Sequence, residues 1–176
     1  MGVNTNRIKF LNTYIDNLSA VEAKSVVDKF IQDGGSHYVV TPNSDIVVKM
    51  QDDAELKKIC DNADLILTDG QIVVKLSHYL DNPIKERVCM TDFVWDVIDL
   101  AIEKKYKIFL FGGKEDVLSK ATENIKKKLP ELNIVDSYSP PFGFEKDNAE
   151  LEEANRRIRE SDADILIVFL GCPKQE

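Results

Sequence analysis

The sequence predicts a doubly wound, Rossmann-like α/β domain, a mainly parallel sheet with helices on both faces and about five core strands. Three observations lead there. Apolar bursts alternate with amphipathic stretches along nearly the whole of the 176 residues. The bursts are apolar throughout rather than at every second position, as expected of strands covered on both faces. Each burst also leaves into a short segment rich in Gly, Pro or polar turn residues.

The elements follow in order. "RIKFLNTYIDNLS" reads as a strand or small hairpin at an edge. In "SAVEAKSVVDKFIQDGG", Ser19 and Glu22 have the spacing of a capping box, Val26, Val27, Phe30 and Ile31 recur at helical spacing, and Gly34 and Gly35 end the helix. "HYVV" is a strand with "TPN" at its exit, and "SDIVVKMQDDAELKKICDNA" is one or two helices with Ser44 or Asp45 near the cap. "DLIL" is a strand with "TDG" at its exit, and "QIVVKLSHYL" is helical. "TDFVWDVIDLAIEKK" is a helix opened by Thr91, with Phe93, Val94, Val97, Ile98 and Ile102 on one side. "YKIFLF" is a strand that exits at "GGKED", and the helix after it is stopped by Pro130. "NIVDSY" is a strand exiting at "SPPFGF", "NAELEEANRRIRES" a charged helix, and "DILIVFL" a buried strand exiting at "GCPKQ". No repeat, linker or low-complexity tract divides the chain, so residues 1–176 read as a single domain.

Composition narrows the partners. A net charge of −8 argues against broad electrostatic binding to nucleic acid or anionic lipid, although it leaves room for a local basic pocket. Cys60, Cys89 and Cys172 form no C-x-x-C pair and no zinc spacing, and reduced cytosolic thiols are the simplest reading. Neither His37 nor His78 is placed to partner Cys172 as a nucleophile. No signal peptide is visible, and the longest apolar run falls far short of the roughly 20 residues of a membrane span.

Open parallel sheets bind ligands outside the carboxyl ends of their strands, so the five exits should share one edge. Gly112 and Gly113 precede a helix N-terminus, where backbone N–H groups can hold a diphosphate or simply make a tight turn. The surrounding residues match neither G-x-G-x-x-G nor a Walker loop. Asp69 can take a proton from a hydroxyl nucleophile, or cap the next helix. Thr41 and Asn43 can hydrogen-bond a sugar or serve as turn and cap residues. Phe142 offers an aromatic wall for a base or sugar, or closes the core. Arg87 can clamp a phosphate or stand as a surface charge. Asp162 to Asp164, "DAD", matches the metal-binding D-x-D of many sugar-nucleotide transferases, but precedes a strand and so belongs at the opposite end of the sheet as a solvated turn. No metal site and no cofactor is expected.

Taken together, "TPNSDIV", "TDGQIVV", "ERVCMTD", "FLFGGKE", "SPPFGF" and "GCPKQE" resemble the WecG/TagA/CpsF family, glycosyltransferase family twenty-six, in the same order from Thr41 to the last residue. The resemblance implies a metal-independent inverting transferase. It would move an N-acetylhexosamine, such as N-acetylmannosamine, or its uronic acid from a UDP-sugar to a polyprenyl-diphosphate-linked sugar, for teichoic acid or other surface polysaccharide. By the same resemblance Asp69 matches the general base, Thr41 and Asn43 the polar pair beside it, and Arg87 the basic residue of "ERV". Gly171, Pro173, Lys174 and Gln175 match the loop near the donor. Family members continue past "PKQE" with a basic segment, so the resemblance also implies that the family's C-terminal tail is absent here. That tail would supply peripheral contact with the inner face of the cell membrane, and its absence leaves a possible homo-oligomer. A non-catalytic nucleotide- or sugar-binding module is the alternative. A nicotinamide dehydrogenase is disfavoured by the lack of a dinucleotide fingerprint and of an acidic residue ~20 positions beyond it.

Overall fold

The computed structural model describes residues 5–175, and they divide into two compact units, one reaching to Val97 and the other running from Ile98 to Gln175. In the first unit β1 (Arg7–Phe10) and β2 (Thr13–Asp16) form an antiparallel hairpin. α1 (Ala20–Asp33) follows, opened by the Ser19–Glu22 capping box and closed by Gly34 at φ 72°. β3 (Val39–Val40) and β4 (Leu65–Ile66) pair in parallel, with α2 (Ser44–Lys49) and α3 (Ala54–Asp61) between them in sequence. α4 (Gln71–Tyr79) leaves the end of β4, and α5 (Met90–Lys104) spans the division between the units. One core cluster of this unit joins the hairpin residues Phe10 and Ile15 to Val73 of α4 and Ile84.

A buried carboxylate ties the hairpin to β4. The Asp16 side chain is fully buried and accepts two hydrogen bonds from Arg7, at 2.8 Å each, one from the Ile66 amide at 2.7 Å, and one from the Thr5 hydroxyl. Arg7 also donates to the carbonyls of Ala63 and Asp64, and its hydrogen bonds to Asp16 hold its pKa above the ordinary value. The first stretch is thus a hairpin, and its polar end fixes the strand that leads to Asp69.

On the amino side of β3, His37 stacks on Phe30 with ring centroids 4.3 Å apart. Its Nε2 lies 2.9 Å from Asp33, and its Nδ1 lies 3.1 Å from Asp64. The hydrogen bond to Asp33 and then the contact with Asp64 raise the His37 pKa above its ordinary value. The imidazolium is therefore favoured in the folded state. Its contribution is fully present below the unfolded pKa of about 6.5 and is lost as pH rises through the higher folded value. The melting temperature should fall over that window, and His37→Gln should remove this part of the slope when melting is followed against pH.

In the second unit β5 (Lys107–Gly112), β6 (Asn133–Tyr138) and β7 (Ile165–Phe169) form a parallel sheet in the order β6-β5-β7. α6 (Glu115–Lys128) connects β5 to β6. A 3-10 turn (Phe144–Lys146) and α7 (Asn148–Glu160) connect β6 to β7. The central strand β5 is buried at every position after Lys107, as its continuous apolar run requires. Phe109, Phe111, Phe144 and Ala154 form a core cluster against it. β7 differs from its expected burial. Among the described residues it pairs only with β5, and at this edge none of its five residues is fully buried, Phe169 being 47% exposed.

The five expected parallel strands are therefore present in an α/β arrangement. Their hydrogen bonds run as a pair, β3-β4, with two paired residues in each strand, and a triple, β6-β5-β7. No helix among the described residues is long and apolar enough to cross a membrane.

Candidate active site

In the first unit, β3 exits into Thr41–Asn43 and β4 into Thr68–Gly70. The Thr68 hydroxyl is buried and donates to the Pro42 carbonyl at 3.2 Å, which ties the two exits together. Asn43 is the N-cap of α2, its Oδ1 accepting the amides of Asp45 at 3.0 Å and Ile46 at 3.1 Å. Its side-chain oxygen is thus committed to the helix, and its Nδ2 is left to donate. The Thr41 hydroxyl makes no hydrogen bond among the described residues, and Thr41 is half-buried.

Asp69 does not cap α4; Gly70 does, without a side-chain hydrogen bond. Val73, 2% exposed, fills the space beside Gly70, and a Cβ there would stand 2.6 Å from Val73 Cγ2. The Asp69 side chain makes no capping bond to α4 and is 29% exposed. Arg87 Nη1 donates to its Oδ1 at 3.1 Å. A carboxylate that is reachable by solvent and held by one guanidinium nitrogen keeps a second oxygen free to accept a proton.

In the second unit the chain passes from β5 to β6 on one side and then crosses to β7 on the other. The order reverses between β5 and β7, and such a switch point is where open sheets bind ligands. Gly112 and Gly113 stand there at φ 104° and 75°. The Gly113 amide donates to the Phe169 carbonyl at 3.0 Å, and the Ser139 hydroxyl donates to the Gly113 carbonyl at 2.7 Å. The Gly113 amide is therefore not free for a diphosphate, contrary to the expectation from "GGK". The donors remaining at this exit belong to the first turn of α6, whose N-cap Lys114 makes no side-chain capping bond.

Gly112 is required for a different reason. A Cβ there would stand 2.9 Å from the Phe169 carbonyl oxygen and 3.0 Å from its carbon, in a backbone region that L residues rarely adopt. Gly112→Ala should lower the stability of the chain by about 2–3 kcal/mol, against about 1 kcal/mol for Gly113→Ala, which meets open space. Urea denaturation of the two variants checks this.

The loop after β7 is closed on itself. Gly171, at φ 75°, donates its amide to Gln175 Oε1 at 3.1 Å and accepts the amides of Lys174 at 3.0 Å and Gln175 at 3.3 Å. Pro173 lies within this turn after a cis peptide bond. Lys174 reaches the loop after β6, pairing with Glu145 at 2.7 Å and sitting 5.0 Å from the Phe142 ring centroid. Phe142 is fully exposed, so it does not close the core. A groove of about 260 Å³ is lined by Phe111, Phe144, Leu170, Lys174 and Gln175 among others.

The structure thus brings Asp69 and Arg87 together in one unit, and Phe142, Lys174 and the switch-point glycines to the strand exits of the other. Sequence reasoning missed Thr68, Ser139 and Glu145. Thr68 and Ser139 each sit inside a quoted exit motif, but the bonds they make are between exits and have no signature in sequence. The D-x-D segment lies at the amino end of β7, where Asp162 pairs with Lys107 Nζ at 2.5 Å and Asp164 accepts the Lys107 amide at 2.7 Å. Among the described residues no three His, Cys, Asp or Glu side chains are grouped to hold a metal ion.

Parallel strands with a switch point, and polar and glycine residues gathered at their carboxyl ends, define a Rossmann-like α/β protein. The family model of the WecG/TagA/CpsF glycosyl transferases matches residues 8–176, and the chain belongs to that family. A similar protein from Bacillus spizizenii, an N-acetylglucosaminyldiphosphoundecaprenol N-acetyl-beta-D-mannosaminyltransferase, is 30% identical over 139 residues, covering 79% of this chain and 52% of the relative. A Staphylococcus aureus protein of the same name is 26% identical over 175 residues, covering 98% of this chain and 66% of the relative. The matched region thus spans about half to two thirds of the length of these relatives.

Proposed function

We propose that the protein is a UDP-sugar-dependent, inverting glycosyltransferase that moves N-acetylmannosamine, or a related N-acetylhexosamine or its uronic acid, onto a polyprenyl-diphosphate-linked N-acetylglucosamine. The observation that carries this reading is Asp69. It is a partly exposed carboxylate beyond a strand's carboxyl end, not used to cap the helix that follows and held by Arg87, in a chain of glycosyltransferase lineage. Asp69 takes the proton of the acceptor hydroxyl as that oxygen attacks the anomeric carbon and the bond to the diphosphate breaks. Thr41, with its uncommitted hydroxyl, orients the acceptor, and the Asn43 amide donates to a sugar oxygen. Negative charge develops on the departing UDP, and positive groups and oriented N–H donors stabilise it. In the first unit Arg87 is suited to that task; in the second, taken by itself, Lys174 and the first turn of α6 after Gly112 and Gly113 are the groups that can hold a phosphate. Phe142 stacks on a flat ring, and the turn of Gly171, Pro173, Lys174 and Gln175 shapes the donor side.

The names of the relatives support the acceptor class, and teichoic acid or another surface polysaccharide is the setting proposed for it. A lipid-linked acceptor supports peripheral contact with the cell membrane, and the proposed UDP-sugar donor is the reason to propose its inner face. Calorimetric titration with UDP, ADP and NAD, with EDTA present, tests the donor class. UDP should bind selectively with EDTA present; preference for ADP or NAD overturns the reading.

A further inference from the structure

α4 is apolar on two sides, and only one of them is covered. On the inner side Val73 and Ser77 are buried, and Val73 joins Phe10, Ile15 and Ile84 in the core of the first unit. The Ser77 hydroxyl accepts the Ile84 amide at 2.9 Å and donates to the Val74 carbonyl at 2.7 Å, so this buried polar group is satisfied. On the outer side Ile72, Leu76 and Tyr79 of the helix and Leu80 at its C-cap recur at i, i+4, i+7 and i+8, the spacing of one helical face. All four are exposed, Ile72 at 60% and Tyr79 at 85%. At about 100° per residue they span an arc of about 100° next to the buried one. A contiguous apolar face of this kind marks a contact surface, unlike apolar residues scattered singly.

Charge identifies the contact. α4 is the one α-helix among the described residues that contains no Asp or Glu. Its titratable side chains are Lys75, which borders the apolar arc, and His78, and both residues are exposed. The flanking acidic residues are Asp69, paired with Arg87, and Asp81, beyond the helix. Asn82 Nδ2 donates to the Lys9 carbonyl at 2.8 Å, which ties the end of the hairpin with exposed Lys9 and Leu11 to the segment leaving α4. In a chain of net charge −8, an acid-free apolar face edged by lysine is a local exception.

We propose that the outer face of α4 rests on an anionic phospholipid bilayer, with Ile72, Leu76, Tyr79 and Leu80 in the headgroup boundary and Lys75 against the lipid phosphates. Interfacial helices combine these parts: aliphatic side chains, an aromatic ring with a polar end, and a cation at the border. A second copy of the chain fits less well, because a two-fold contact brings the same lysine edge in from both sides. α4 starts two residues after Asp69, so a helix lying on lipid holds that exit beside the surface. The use of this in transfer to a lipid-linked sugar rests on the reading of Asp69 given above, whereas lipid binding itself does not.

The test pellets the 176-residue chain with vesicles of phosphatidylcholine alone or mixed with phosphatidylglycerol. The wild type should bind the mixed vesicles. Ile72→Gln combined with Leu76→Gln should weaken that binding about ten-fold or more. Lys75→Gln should weaken it about five-fold, and only where the anionic lipid is present. Val117→Gln, at an exposed apolar position on α6, should change nothing. Every replaced side chain is exposed, so melting temperatures should match the wild type. A wild type that ignores both kinds of vesicle overturns the inference, and so does a double variant that binds as the wild type does. A concentration-dependent dimer abolished by the same double variant gives the face to a second copy and overturns it as well. UDP titration without vesicles keeps the two readings apart: a wild type that ignores UDP overturns the donor reading, while the vesicles still decide the role of α4.

Discussion

Asp69→Asn should lower the rate of sugar transfer about 10²–10⁴-fold, the range that a positioned general base contributes. The amide is nearly the same size, so the packing of Thr68, Gly70 and Val73 around the exit of β4 is kept. It cannot accept the acceptor's proton. Arg87 still finds an oxygen at Oδ1, so UDP affinity should stay within about two-fold. The assay follows UDP release from a UDP-N-acetylhexosamine in the presence of a lipid-diphosphate acceptor, beside a calorimetric titration of UDP. Rate and affinity falling together would make Asp69 a binding group and not a base. An unchanged rate would remove it from the mechanism.

Asp16→Ala should destabilise the chain by about 3–4 kcal/mol, read from urea denaturation. The side chain is fully buried, and four donors converge on it. Its removal leaves the Ile66 amide buried without an acceptor and Arg7 without its counter-ion, the situation in which breaking a pair costs most. Arg7 keeps the carbonyls of Ala63 and Asp64 and some access to water, which holds the loss below the top of the usual range. Asp16→Asn, which preserves an acceptor for Ile66, should lose roughly half as much. Because Ile66 is the last residue of β4, three positions before Asp69, the variant should also loosen the exit that carries Asp69.

Much of this was legible in the residues themselves. The Ser19–Glu22 box, Gly34, and the charged periodicity of α6 and α7 are local signals. Local signals survive folding because they depend only on neighbours a turn away. The glycines and polar residues at the strand exits were equally plain, and they led to Asp69, Arg87 and the family. The burial of β7 was not legible. An apolar run specifies that a strand prefers a covered face, but whether neighbours cover it depends on strand order.

What the sequence by itself determined is the alternation of strand and helix, the parallel class of the sheet, and which residue types stand at each exit. Only the tertiary structure decided how those residues are used. It spent the Asn43 oxygen on a helix cap and the Gly113 amide on Phe169, made Gly70 and not Asp69 the cap of α4, and placed a guanidinium beside Asp69. Periodicity is a property of neighbours along the chain. The commitment of a hydrogen-bonding group is settled by whichever partner arrives across space.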